Sequence, residues 1–139
     1  MGAHGERQLR LREQAALWRF VHVAESQAQA EDELSRALLL TRRHMVHARE
    51  THNPADFSVD ATRVNPWNDP RVSDEDGVRY SLETAAFCGT PKHVADRLGE
   101  LRDAGVHNVL CQMSYGYLPP VAIMGSMRRF GEDVMPRFR

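Results

Sequence analysis

A chain of 139 residues, 42% hydrophobic and 27% charged, has the length of one domain and the composition of a globular protein. Its 18 Lys and Arg nearly balance 19 Asp and Glu, for a net charge of −1, which argues against nucleic acid or an anionic membrane as partner. No segment approaches the roughly 20 apolar residues of a membrane span, and "MGAHGERQLRLREQ" has no apolar signal core, so a cytoplasmic location is expected.

The polar segment 1–16 shows no apolar periodicity and is expected to depend on contacts made elsewhere. In "ALWRFVHVAES", Phe20, Val21 and Val23 lie among aromatic and β-branched neighbours, which predicts a buried strand at 18–24. Ser26 then caps a helix over 27–50, with Leu34, Leu38, Thr41, Met45 and Ala48 on one face. Between Thr51 and Tyr80 the periodicity ends, and Pro54, Pro66 and Pro70 among Asn, Asp and Ser predict an irregular insertion, the kind of long loop that carries function.

A short helix is expected after Ser81 through "LETAAF", closed by Gly89. Thr90 and Pro91 are suited to start the next helix, whose Val94, Ala95, Leu98 and Leu101 form a stripe, and Gly105 to end it. "VHNVLCQM" predicts a second strand at 107–113. After Pro119 and Pro120, a last helix carries Ile123, Met127, Phe130 and Val134 on one face and stops at Pro136. Helical crossovers between the two strands imply a parallel pairing and an α/β fold.

The residue chemistry alone points to no catalytic group. Cys88 and Cys111 sit in apolar surroundings and read as buried thiols. His44 and His47 lie one turn apart, but Arg42, Arg43 and Arg49 oppose a cation, so no metal is expected. His22 and His107 read as hydrogen-bonded packing residues within strands, and "CGTPKH" as a helix cap, because it lacks the full phosphate-loop pattern.

"CGTPKHVADRLGELRDAGVHNVLCQMSYGYLPP" followed by "SMRRFGEDVMPRFR" resembles the C-terminal end of luciferase-like flavin-dependent monooxygenases, and "LWRFVHVAESQAQAEDEL" resembles that family's penultimate strand and helix. The resemblance implies the last two β/α units of a (β/α)8 TIM barrel, with 18–24 as the seventh strand, 54–80 as the variable insertion and 107–113 as the eighth strand. A whole barrel typically takes about 250 residues, so residues 17–139 correspond to its C-terminal portion.

The resemblance further implies an oxidoreductase that uses reduced FMN and dioxygen, through a flavin peroxide, to oxidise an aldehyde or another small organic substrate. Barrel sites form at the C-terminal strand ends, which nominates Ala24, Glu25 and Ser26, and Gln112, Met113, Ser114, Tyr115 and Gly116, as cofactor or substrate contacts. The insertion, with Trp67 its conspicuous apolar residue, would act as a lid over that rim. The alternative expectation is a non-catalytic binding or oligomerisation module, in which strand edges pair with a second copy or with a companion barrel fragment.

Overall fold

The computed structural model describes residues 15–52 and 65–138. Residues 1–14 of the expected polar segment 1–16, and residues 53–64, which include Pro54 and part of the expected insertion, lie outside the described residues. Strand β1 (Ala16–Val23) leads into helix α1 (Gln27–His52); α2 (Asp74–Ala85), β2 (Ala86–Gly89), α3 (Pro91–Asp103), β3 (Asn108–Gln112) and α4 (Pro120–Arg129) follow. The chain closes with a π turn, Phe130–Val134, and a 3-10 turn, Met135–Phe138.

The strands form one parallel sheet in the order β2-β1-β3. Phe20 to Val23 pair with Ala86 to Gly89 on one side of β1, and Ala16 to Phe20 pair with Asn108 to Gln112 on the other. Because successive side chains alternate, the two faces of the sheet bury different residues. Phe20, Ala86 and Cys88 pack with Leu34, Ala37 and Leu38 of α1 and Val78 of α2. Val21, Val23 and Phe87 pack with Val94, Ala95 and Leu98 of α3 and with Val134. Helices therefore cover both faces.

The sequence-level expectation of a parallel α/β architecture holds, and the expected strands at 18–24 and 107–113 are neighbours. A closed barrel is not shown: the sheet is open and three-stranded among the described residues. Residues 82–85 of "LETAAF" are helical as expected, but Ala86 and Phe87 begin a third strand, β2, so Gly89 closes a strand and not the helix. A short apolar run cannot be assigned by periodicity, and here pairing with β1 decides it, leaving all four residues of Ala86–Gly89 buried.

Helix α2 also begins at Asp74, well before the expected Ser81. Ser73 accepts from the Asp76 N–H at 3.1 Å and donates its hydroxyl to the Asp76 carboxylate at 2.7 Å, while Asp74, Glu75 and Asp76 complement the positive helix end. The other caps follow the sequence: Ser26 accepts from Gln29 N–H at 3.2 Å and Thr90 from His93 N–H at 3.3 Å. Gly105, at φ 86°, ends α3 with bonds from Gly105 N–H to Arg102 and from Val106 N–H to Leu101, each 2.9 Å.

Two helix faces differ in detail from expectation. In α1 the stripe is buried at Leu34 and Leu38, half-buried at Thr41 and Met45, and exposed at Ala48. A helix of 26 residues is about 39 Å long against about 26 Å for the strand beneath it, so its last turns overrun the sheet. In α4 it is Ser126, not Met127, that faces inward: Met127 is 45% exposed, and Ser126 Oγ accepts from the buried Val23 N–H at 2.8 Å. That hydroxyl satisfies β1 beyond the point where β3 has ended. Pro136 does not stop a helix in mid-turn but sits in the closing 3-10 turn.

Candidate functional site

Parallel strands place their C-terminal ends along one rim, and the sites nominated from sequence divide there into two groups. Ala24 is core, and Glu25 and Ser26 are held structurally: Arg129 donates to Glu25 Oε1 at 2.6 Å, and Ser26 caps α1. Met113 is likewise buried in the second core cluster. Gln112, Ser114, Tyr115 and Gly116 form the other group, at the end of β3.

Gln112 lies opposite Phe20 in the ladder. Its side-chain carbonyl accepts from the Trp18 indole N–H at 3.0 Å, and its amide NH2 donates to the Ser114 carbonyl at 3.2 Å, which fixes the amide's orientation. Trp18 stacks edge-on to Phe20 at 4.3 Å between ring centroids, and Phe20 to Tyr115 at 4.2 Å. The aromatic ladder, Trp18 to Phe20 to Tyr115, runs from an indole that is 41% exposed into the core. Ring pairs of this kind add about 0.5–1.5 kcal/mol each beyond burial.

The turn after β3 is seated on α1. Tyr115 hydrogen-bonds Thr41, and burial nevertheless pushes its phenol above the usual value. Gly116, at φ 45°, lies so close to Thr41 Oγ1 that a Cβ would collide with it, so this glycine serves the turn as well as the rim. Tyr117 bonds its hydroxyl to His44 Nδ1, which gives His44 a partner within the protein. Among the described residues no cluster of His, Cys, Asp and Glu is arranged to hold a metal ion.

Trp67, the expected lid residue, packs partly buried against the first core cluster. Its backbone is held by Arg42, a side chain 1% exposed whose guanidinium donates to the carbonyls of Pro66, Trp67, Asp69 and Val72 and to the Asp74 carboxylate. Arg42 thereby ties residues 66–74 to α1. The sequence reading treated it only as a charge, because nothing in its spacing signals burial. Trp18 falls within the expected strand at 18–24 and carries no site signal in the sequence; only the register of β1 with β3 brings it to Gln112.

Several other titratable groups are engaged within the fold or buried. His22, 1% exposed, bonds Glu33 through Nε2 at 2.6 Å, while its Nδ1 has no partner. Burial raises the Glu33 pKa, but the bonds from Gln29 and His22 and the charges of His22 and Arg129 outweigh it and hold the carboxyl low. Burial, with the nearby Glu31 charge, pushes the Cys88 thiol up to about 12, and burial raises Cys111 too, so neither is a thiolate nucleophile. His107 is exposed just ahead of β3.

The exposed indole, the fixed Gln112 amide and the Ser114 carbonyl suit one edge and one face of a planar heteroaromatic ring. Of the cations near the rim, Arg19 donates to the Trp18 backbone carbonyl at 2.7 Å and Arg129 to the Glu25 carboxylate at 2.6 Å. Among the described residues no helix is long and apolar enough to cross a membrane. A scan of protein-family models gives no match to this chain, and a search of curated proteins gives none.

Proposed function

We propose that this chain carries the C-terminal strand rim of a luciferase-like, FMN-dependent monooxygenase, with β1 and β3 as the seventh and eighth strands of that family's (β/α)8 barrel, from which the helices on both faces of this sheet depart. The observation that carries the reading is the Gln112 amide, clamped between Trp18 and Ser114 at the end of a parallel strand. Active-site loops gather at such strand ends. Reduced FMN would supply the electrons for dioxygen-dependent oxidation of a small organic substrate, an aldehyde being the first to test.

In this reading Trp18 offers a ring face, Gln112 orients the ring edge or the substrate, and the seated Tyr115–Gly116 turn keeps water from the inner side. Phosphate contacts come from outside this cluster. The rim geometry supports ring binding more directly than it supports turnover.

The test is equilibrium binding of oxidised and then reduced FMN, with free flavin removed and bound flavin read by absorbance and by Trp18 fluorescence in a Trp67→Phe background. Stoichiometric binding that weakens about tenfold or more in Trp18→Leu, equivalent to roughly 1.4 kcal/mol, supports the reading. A folded chain that binds no flavin, or binds it equally well without Trp18 and Gln112, refutes it.

The second reading, a binding or oligomerisation module, is favoured by a different observation: among the described residues β3 is an edge strand, and its central Leu110 is 59% exposed.

A further inference from the structure

We propose that the outer edge of β3 is an interface with a second copy of this chain, in which the two β3 strands pair antiparallel about a two-fold axis at Leu110. The inference rests on the assembly reading and is independent of flavin. It begins with backbone geometry. Ala24 N–H donates to Gly89 of β2, whereas Val23 N–H points to the β3 side, where Ser126 takes it. Even-numbered residues of β1 therefore direct their backbone groups to β2, and odd-numbered residues direct theirs to β3.

Carried through the register of Leu17 with Val109 and Arg19 with Cys111, this alternation turns the N–H and C=O groups of Val109 and Cys111 to the outer edge. Two-fold pairing at Leu110 sets Val109 opposite Cys111 of the partner subunit, and Cys111 opposite the partner's Val109. Those are hydrogen-bonded positions, so the outward groups satisfy one another. Leu110 then faces the partner's Leu110 at a non-hydrogen-bonded position, where side chains come closest.

The edge is complementary to itself in chemistry as well as in hydrogen bonding. "NVLCQ" contains no charge to repel its own copy, and none of the Lys, Pro or Gly residues with which proteins protect exposed edges. Apolar residues meet apolar residues. Because Trp18 lies beside Leu110 in the ladder, pairing sets up a row of Trp18, Leu110, the partner's Leu110 and the partner's Trp18 across one face of the joined sheet. On the other face, Val109, Cys111, Phe130, Met135 and Phe138 line a groove of about 420 Å³ next to the same edge, and the partner brings its own groove alongside. Each copy thereby extends the floor beside the other's Trp18–Gln112 pair.

The experiment joins solution mass to site-specific cross-linking. By sedimentation equilibrium the parent chain is expected at twice its monomer mass, and Leu110→Lys at the monomer mass with unchanged circular dichroism. The lysine replaces a side chain that the monomer leaves exposed. On mild oxidation Leu110→Cys is expected to form a dimer linked through position 110, whereas His107→Cys, out of register with its own copy, remains unlinked. A parent chain that stays monomeric refutes both the assembly reading and the edge. A parent dimer that survives Leu110→Lys, fails to link in Leu110→Cys, or links as readily through His107→Cys keeps the assembly reading and overturns this interface.

Discussion

Gly77 sits in the interior of α2, where glycine normally costs a helix about 1 kcal/mol relative to alanine, so Gly77→Ala would ordinarily stabilise. Here the expected sign is reversed. A Cβ at Gly77 would lie 2.7 Å from Arg42 Cζ and 2.8 Å from both Nε and Nη1. An arginine tip can usually move aside, but this one is held by carbonyls at 3.0 Å (Pro66), 2.9 Å (Asp69) and 2.6 Å (Val72), by Trp67, and by Asp74 at 3.3 Å. Overpacking of this kind costs about 1–3 kcal/mol, which offsets the helix-propensity gain and leaves a net loss of roughly 1 kcal/mol. The Tm should fall by a few degrees, about 2–4 °C per kcal/mol at this size.

Arg42→Met removes the obstacle together with its hydrogen bonds. It leaves several carbonyls without a donor, at a cost of about 3–5 kcal/mol, while Asp74 keeps Arg43 at 2.8 Å. In that background Gly77→Ala should recover its ordinary stabilising sign. Urea unfolding of the parent, the two single variants and the double variant gives the cycle, with an expected coupling of about 2 kcal/mol. If Gly77→Ala stabilises the parent, or has the same effect in both backgrounds, Arg42 is not held as described and the tie between residues 66–74 and α1 fails.

Ser126→Ala leaves the buried Val23 N–H without an acceptor and should cost about 1–3 kcal/mol in urea unfolding, with faster exchange at the Val23 amide; a change within 0.3 kcal/mol would remove Ser126 from that role. Asp69, hydrogen-bonded by the Arg71 side chain and backbone and near the charges of Arg71 and Arg42, has its pKa lowered from 3.8 to about 2. The unfolded chain therefore binds the extra proton between those values, and stability rises with pH across that window. Asp69→Asn should flatten the acid limb of the stability profile between about pH 4 and 2; an unchanged slope contradicts the pairing. Cys88, its thiol raised to about 12, should resist iodoacetamide at neutral pH until the protein unfolds, and rapid labelling of the native chain would show that the β2 edge opens.

The elements legible in the sequence are those whose signals are local. Caps at Ser26 and Thr90, the glycine end at Gly105 and the apolar stripes of α1 and α3 depend on residues within a turn or two of each other, and the structure keeps them. What escaped reading depends on partners far along the chain. β2 is a strand because Phe20 to Val23 lie beside it, and α2 holds a glycine at 77 where Arg42, in another helix, occupies the space of the missing side chain; the early start of α2 is the exception, since its Ser73 cap and acidic first turn are local signals. At the rim the same division holds. Gln112, Ser114, Tyr115 and Gly116 were nominated as neighbours in sequence, whereas Trp18 joins them only through the parallel register of β1 and β3.

That register also explains why the rim splits in two. β3 ends at Gln112, level with Phe20, while β1 continues to Val23. The step exposes the edge of β1 over its last residues, and α4 fills it: Ser126 takes the Val23 N–H and Arg129 reaches Glu25. The β1 end is therefore closed by hydrogen bonds within the chain, and an incoming group there would have to displace them. The β3 end is different, because its turn passes to the α1 side, where Tyr115 meets Thr41 and Tyr117 meets His44, and the Trp18–Gln112 pair stays open to solvent. Of the two groups, only the one at β3 combines an exposed aromatic face with a fixed amide. It adjoins the strand edge that a second copy would cover, so ligand binding at Gln112 and pairing at Leu110 should affect each other. Leu110→Lys should change the flavin affinity of the chain if both hold, and an affinity identical in parent and variant would show the two surfaces to be uncoupled.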